Sequence, residues 1–224
     1  MFVVIFEVTP KPDRWDEYLA LAQQLRPKLE AIDGFIDNER FGSKRTKGRL
    51  LSLSTWRDEK SVVRWRTHGE HHDVQGKGRF EVFEDYHLRV GEVTSDSAPP
   101  NGLTAESGRS DETVIGAAKF CTITEVPPPR DMTPAAASER PHQPEANATG
   151  LLDHELFESI TNPGKLLILA SWRDGSAAAN WYPERHTDGS EIRHRQVRVI
   201  RDYGMFDRRE APQFYPDVTP DKRS

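Results

Sequence analysis

The sequence predicts an α+β protein made of two tandem β-α-β-β-α-β units of the ferredoxin-like type. Three observations lead there. The stretch from Trp56 to Trp65 recurs from Trp172 to Trp181, with both tryptophans and the Arg57-Asp58 and Arg173-Asp174 pairs at the same spacing. The match runs backwards without a gap, setting Glu39, Phe41, Ser43, Gly48, Leu50, Leu51 and Leu53 against Glu155, Phe157, Ser159, Gly164, Leu166, Leu167 and Leu169. Such self-similarity defines the repeating unit before any other feature does. Third, Ser, Pro and Gly gather in residues 94–111, a linker composition between the copies. The expected units are therefore 1–93 and 112–207, followed by a tail over 208–224.

In the first copy, residues 2–8 form an apolar, β-branched and aromatic run that predicts a buried strand. Thr9-Pro10-Lys11-Pro12-Asp13 breaks it and starts a helix, with Pro12 or Asp13 near the cap. Tyr18, Leu19, Leu21, Leu25, Leu29 and Ile32 recur at helical spacing over 14–32, and Pro27 is expected to kink that helix. Asp33-Gly34 ends it. Residues 35–43 and 49–56 predict two strands around a polar hairpin loop. Asp58 then caps a second helix through Trp65, a broken helical segment runs to about Gly76, and a last strand spans 81–93. The second copy opens with a strand over 113–125. Where its long helix belongs, 127–149 is a Pro/Ala-rich excursion, because Pro141 stops any helix begun at Thr133-Pro134. Strands over 151–160 and 165–172, a helix capped by Asp174 and a strand over 196–206 complete it. The tail is polar and Pro-containing and is expected to be irregular or frayed.

Composition narrows the function. No run of about 18 apolar residues spans a membrane. The first residues lack a basic n-region and a cleavage site, so the cytoplasm is the expected compartment. One cysteine, Cys121, forbids an internal disulfide and a Cys-rich zinc site, and its place in a strand predicts an inert buried thiol. The net charge is −5 with basic residues interspersed among acids, which gives no nucleic-acid footprint. No Gly-rich fingerprint for a dinucleotide is present.

The opening strand, Leu25-Arg26-Pro27, Asp33-Gly34-Phe35-Ile36, Glu39-Arg40-Phe41, Leu50-Leu51-Ser52-Leu53-Ser54-Thr55-Trp56 and Asp85-Tyr86 together resemble the antibiotic biosynthesis monooxygenase superfamily. The resemblance covers nearly all of 1–93 and about 150–206, including Asp202-Tyr203, but not 127–149. It implies a dimeric-type α/β barrel, here fused within one chain. Physical reasoning agrees, since helices cover one face of each four-stranded sheet and the other face needs a partner. Most of the repeat, Trp56 and Trp172 included, then serves packing. A homodimer of such pseudo-dimers is left open.

The resemblance also implies a pocket beside the segment that follows the repeated helix. There His68-Gly69-Glu70-His71-His72 aligns with Tyr182-Pro183-Glu184-Arg185-His186, pairing His68 with Tyr182 and His72 with His186. Histidines beside tryptophan and tyrosine suit proton abstraction from a phenol or enol, followed by reaction of the anion with dioxygen. The expected catalytic set is His72, His68, Tyr86 and His186, with Trp65, Trp181, Tyr182 and Tyr203 against the substrate. Tyr86 and Tyr203 follow an aspartate in what are expected to be equivalent last strands. The spacing is not that of a metal motif, and copy two keeps one of the three histidines, so no metal is expected. Heme-degrading relatives carry a ligand histidine where this chain has Gln75 and Glu191, and an asparagine where it has Glu7. Heme chemistry is disfavoured, with His194 or His186 as an unorthodox ligand. The expectation is an oxygenase for an aromatic, polyketide-like or phenolic substrate, using dioxygen with no tightly bound cofactor or with reduced flavin as a diffusible co-substrate. The rival is a non-enzymatic ligand-binding or structural barrel, which closed apolar pockets in both copies would favour. The 127–149 excursion predicts that the two sites are unequal.

Overall fold

The computed structural model describes residues 1–100, 102–105, 108–128, 142–183 and 191–219. Strand β1 spans Phe2–Pro10, helix α1 Trp15–Glu30, β2 Phe35–Ser43, β3 Leu50–Trp56, α2 Glu59–Arg66, α3 Gly69–Lys77 and β4 Phe83–Asp96. The second copy contributes β5 Phe120–Val126, β6 Leu151–Ser159, β7 Leu166–Trp172, α4 Gly175–Ala179 and β8 Arg193–Gly204. Local chemistry explains the boundaries. Asp58 Oδ1 accepts from the Ser61 amide at 2.8 Å, and Asp174 does the same for Ala177 at 2.8 Å, so both second helices start on an aspartate cap. Gly34 ends the turn after α1 at φ 88°, and its counterpart Gly150 holds φ 80°. Their carbonyls accept from Arg57 N and Arg173 N, each at 2.8 Å.

All eight strands close into one barrel in the order β1-β3-β2-β6-β7-β5-β8-β4. The copies meet where β2 pairs with β6 and β4 with β8. Alternation along β1 sends Val3, Ile5 and Glu7 inside and Phe2, Val4 and Phe6 outside. The interior packs Met1, Val3, Ile5, Phe41, Leu51 and Leu53 against Cys121, Ile123, Phe157, Leu167, Leu169, Val197 and Val199. Each sheet has thus found the partner its inner face needs, and no edge stays open on this barrel.

The repeated Glu-x-Phe-x-Ser motif is the seam between the copies. Ser159 Oγ donates to Glu39 at 2.5 Å, and Ser43 Oγ donates to Glu155 in the reciprocal contact. Lys165 bridges Glu39 and Glu125 at 2.5 and 2.7 Å. At the other end Arg49 bridges Glu7 and Glu155 at 2.6 and 3.4 Å. Each copy's glutamate therefore accepts from the other copy's serine and is neutralised by cations of the other copy's hairpin. Buried carboxylates need such partners.

Several expectations need correction. Asp13 does not cap α1; Pro12–Arg14 form a 3-10 turn with no side-chain cap. Pro27 falls in the last turns of α1, which runs on through it to Glu30. Strand β5 starts at Phe120 and not at residue 113, since Thr113, Val114 and Ile115 are tied to the Glu210 carboxylate instead of a strand. Tyr86 and Tyr203 are not counterparts. Glu7 lies opposite His87 and its equivalent Glu125 opposite Arg193, so the residue equivalent to Tyr86 is Ile192. Tyr203 instead pairs with Leu88 across the seam. A bulge at Ile200, between the Val199–Gly91 and Arg201–Val90 pairs, reverses the alternation and turns Tyr203 outwards. Of the 127–149 excursion, residues 129–141 lie outside the described residues, as do His186 and Asp188-Gly189-Ser190. Among the described residues no helix of copy two corresponds to α1.

Candidate active site

The three helices of copy one stand on the outer face of its sheet and leave a cavity of about 200 Å³. Val4, Phe6, Asn38, Arg40, Ser52, Ser54, Leu88 and Val90 form its floor from the strands, with Tyr18, Leu25 and Leu29 from α1 as one wall. Val62, Trp65 and Arg66 from α2, and His71, Val74 and Gln75 from α3, form the other. Arg79, Phe83, Tyr86 and Tyr203 close one end. The cover comes from beyond β8. Gln213 Nε2 donates to the Arg66 carbonyl at 2.9 Å, Tyr215 stacks on His72 at 5.3 Å, and the Pro216 carbonyl accepts from Arg79 Nη2 at 3.2 Å. The tail, expected to be irregular or frayed, is irregular over its described residues, and Gln213–Pro216 seat on this cavity.

His71 is the histidine on the cavity wall. Its ring stacks on Trp65 with centroids 4.0 Å apart and 13° between planes. Nδ1 donates to the Trp65 carbonyl at 2.9 Å, which fixes the tautomer and leaves Nε2 as the acceptor. Burial pulls its pKa down to about 4, so the imidazole is neutral at pH 7. Tyr203 is buried, and its phenol is pushed up to about 12. Tyr86 Oη accepts from Arg208 Nη1 at 2.5 Å and Arg79 Nη1 at 3.3 Å.

Charge is the other feature. Arg26, Arg40, Arg66, Arg79 and Arg208 line the cavity, and no aspartate or glutamate does. Arg26 is paired with Glu30. For Arg40, Arg66, Arg79 and Arg208 no carboxylate lies within 4.0 Å among the described residues. Arg79 is only 2% exposed, and its donors go to neutral oxygens of Tyr86, Met205 and Pro216. Arg40 Nε and Arg66 Nε are buried without a partner.

Trp65, Tyr86 and Tyr203 thus come together in one cavity. His72 is exposed and faces Tyr215, whose Oη lies 3.0 Å from His72 Nδ1, and His68 packs 5.9 Å from Trp65; neither is on the cavity wall. In copy two Trp181 is buried against Trp172 and His194, with centroids at 6.1 and 5.4 Å, while Tyr182 is 63% exposed. His194 is buried too, its Nδ1 2.9 Å from Thr124 Oγ1 and its pKa lowered to about 4 by burial. Sequence reasoning put the neighbouring histidines ahead of His71 and missed Arg66, Arg79, Arg208 and Tyr215. Arginines near a helix end or in a tail carry no sequence signal that separates them from surface residues. Cys121 is fully buried, accepts from Arg89 at 3.1 Å, and has its thiol pKa raised by burial, as an inert thiol should. A second cavity, at the barrel mouth, is lined by Glu7, Arg49, His87, Arg89, Glu155 and Asp202. Those groups are already paired with one another. Among the described residues no three His, Cys, Asp or Glu side chains gather as a metal set, and no helix is long and apolar enough to cross a membrane.

Fold and cavity together define a fused two-copy α/β barrel with a largely apolar cavity lined by arginines. The antibiotic biosynthesis monooxygenase family model matches residues 1–77. The chain is 45% identical to "Jasmonate monooxygenase ABM" of Pyricularia oryzae, covering 98% of this chain and 100% of that one. It is similar to a putative monooxygenase of Fusobacterium nucleatum (11% identity, 90% and 93% of the two chains, TM-score 0.40) and to an anthrone oxidase-like protein (13%, 95% and 96%, TM-score 0.37). The chain belongs to the antibiotic biosynthesis monooxygenase family and is a monooxygenase.

Proposed function

We propose that the copy-one cavity oxidises a compact, largely apolar molecule that ionises to an enolate or phenolate, with dioxygen as oxidant and no tightly bound metal. The observation that carries this is a neutral, stacked His71 inside an apolar cavity whose charged lining is entirely cationic. Nε2 accepts the hydroxyl or α-carbon proton. A base whose conjugate acid has a pKa of about 4 is weak in the empty cavity, but the negative charge formed beside it favours the imidazolium. The guanidinium groups stabilise the same anion, and preorganised charge in a dry site is the larger effect.

The electron-rich carbon then meets dioxygen. A ring methylene that becomes a carbonyl supplies all four electrons itself; one oxygen atom stays in the product and the other leaves as water. Hydroxylation of a single C–H bond needs two further electrons, for which reduced flavin is the proposed diffusible co-substrate. The cavity volume, below the ~300–1,000 Å³ of typical ligand pockets, favours one or two rings over a polycyclic polyketide. The full-length relative's name makes jasmonate, an enolisable cyclopentanone, the first candidate and a small phenol the second.

The test is incubation with jasmonate, 1-naphthol and anthrone under ¹⁸O₂, with and without reduced flavin mononucleotide, followed by mass spectrometry. Incorporation of one ¹⁸O atom, lost in His71→Phe, is expected. No incorporation from any of them, or full incorporation by His71→Phe, would overturn the reading.

A further inference from the structure

We propose that Arg66, Arg79 and Arg208 form a clamp for a carboxylate on the substrate, assembled from both copies around Tyr86. This deepens the reading of the copy-one cavity and rests on it. Arg79 and Arg208 donate to one oxygen, Tyr86 Oη, so their like charges sit side by side. The guanidinium of Arg66 lies on the same lining, where its charge and that of Arg208 both act on Tyr203. Gln213 ties the two backbones, its side chain donating to the Arg66 carbonyl and its own carbonyl accepting from Arg208 Nη2 at 2.8 Å. Arg208 also lies over the rings of Tyr203 and Tyr215, at 5.7 and 5.3 Å. Aromatic faces and neutral oxygens soften such a cluster without neutralising it.

Elsewhere in this molecule buried cations are answered by acids: Arg89 by Glu7, Arg195 by Glu125 at 2.5 Å, Lys165 by Glu39. The clamp departs from that rule at the one place where a ligand would sit. Arg79 is buried and Arg66 and Arg208 are half-buried, and like charges drawn together out of water favour the arrival of a counter-charge. The fork of a guanidinium matches two carboxylate oxygens, and Arg66 Nε is a buried donor without a partner. Because Arg208 and Gln213 follow β8, the anion site is incomplete without the segment that ends copy two.

The experiment compares matched pairs, jasmonate, decanoate and 2-naphthoate against their methyl esters, by titration calorimetry on the full chain. Each acid pair-mate that fits is expected to bind at least about tenfold more tightly than its ester, since charge-assisted hydrogen bonds contribute more than neutral ones. Arg66→Met and Arg208→Met should each lower acid affinity about 10- to 100-fold and leave ester affinity within about twofold, with melting temperature confirming the fold. Arg64→Met, on α2 but outside the cavity lining and paired with Asp33, should spare the preference. Equal binding of acids and esters by the unaltered chain overturns the clamp. If those esters or a phenol still gain ¹⁸O, the oxygenase reading stands without it. Displacement of bound acid by flavin mononucleotide, with the same dependence on Arg66 and Arg208, would assign the cations to a flavin phosphate and overturn the carboxylate assignment.

Discussion

The two copies share a repeat, but the cavity lies on the outer face of the first, and the residues that differ among those described show why. On the outer sheet face, Ser52, Ser54, Asn38 and Arg40 of copy one are replaced by Ile168, Ala170, His154 and Leu156. Val62 of α2 becomes Ala178 of α4. Small residues let α4 sit directly on the strands, where Ala170, Trp172, Ala177, Ala178 and Trp181 form one cluster. In copy one α1 holds the other helices away from a polar floor. The indole of Trp56 donates to Ser54 Oγ at 2.9 Å, and that of Trp172 to Thr122 Oγ1 at 2.9 Å. The same buried N–H thus finds its partner on a different strand. Copy one thus carries the cavity, while Tyr203 of β8 and the segment after it supply part of its wall and its cover.

The largest expected effect treats the copies as equal. Trp56 and Trp172 are 0% and 1% exposed, and Trp56→Ala or Trp172→Ala should each cost about 3–5 kcal/mol in denaturant unfolding. Because the copies share one closed barrel, each variant should unfold in a single transition. Two separated transitions for Trp172→Ala would break the picture of one cooperative unit.

The next effect should separate the copies. His71→Phe keeps a ring to stack on Trp65 but removes the acceptor, and should slow turnover by about 10²–10⁴-fold. His194→Phe in copy two, and His72→Ala on the exposed side of α3, should each leave the rate within about threefold, as substitutions outside the reacting site do. A loss from His194→Phe as large as that from His71→Phe would mean a second working site.

Much of this was legible. The repeat placed β2, β3, both aspartate caps and the seam motif, because each is fixed by short-range chemistry: alternation, a cap, a left-handed glycine. Trp65, Tyr86 and Tyr203, named from the sequence, do line one cavity, though Tyr203 reaches it by a route the repeat did not indicate. A one-residue bulge at Ile200 decides which face it occupies, and no composition signal marks that. His71 was passed over because a helix that restarts at Gly69 sets its phase by geometry and not by sequence spacing. Gln213 and Tyr215 come to the site through tertiary contact with α2 and α3, at separations of 147 for Gln213–Arg66 and 143 for Tyr215–His72, and Arg208 through Tyr86 of β4 at a separation of 122.

A smaller effect should again be symmetric. Glu39→Gln and Glu155→Gln each remove one charge from the seam while keeping its shape. Each should destabilise by about 1–3 kcal/mol, since the cations around it lose their counter-charge. Near-equal midpoints in urea would confirm reciprocal contacts. A loss confined to Glu155→Gln would show that the Arg45 and Arg49 end alone holds the copies together.

The smallest effect is a pH dependence that starts out shared and is then split by ligand. His71 and His194 are both held near pKa 4 by burial, against about 6.5 when unfolded. Between those values the unfolded chain binds protons that the folded chain refuses. Their contribution to stability is therefore complete above about pH 6.5 and is lost as pH falls from there through about 4. Asp207, lowered to about 2 by Arg209, acts only at lower pH and does not enter this window. Melting temperature recorded from pH 7.5 to 4.5 should fall, and His71→Phe or His194→Phe should each flatten the slope by a similar amount. Saturating jasmonate, if the anion lies beside Nε2, raises the pKa of His71 and leaves that of His194 unchanged, because the cavity reaches only the first. With ligand, then, His71→Phe should no longer flatten the slope while His194→Phe still does. An identical response of both variants to the ligand would place the anion away from His71.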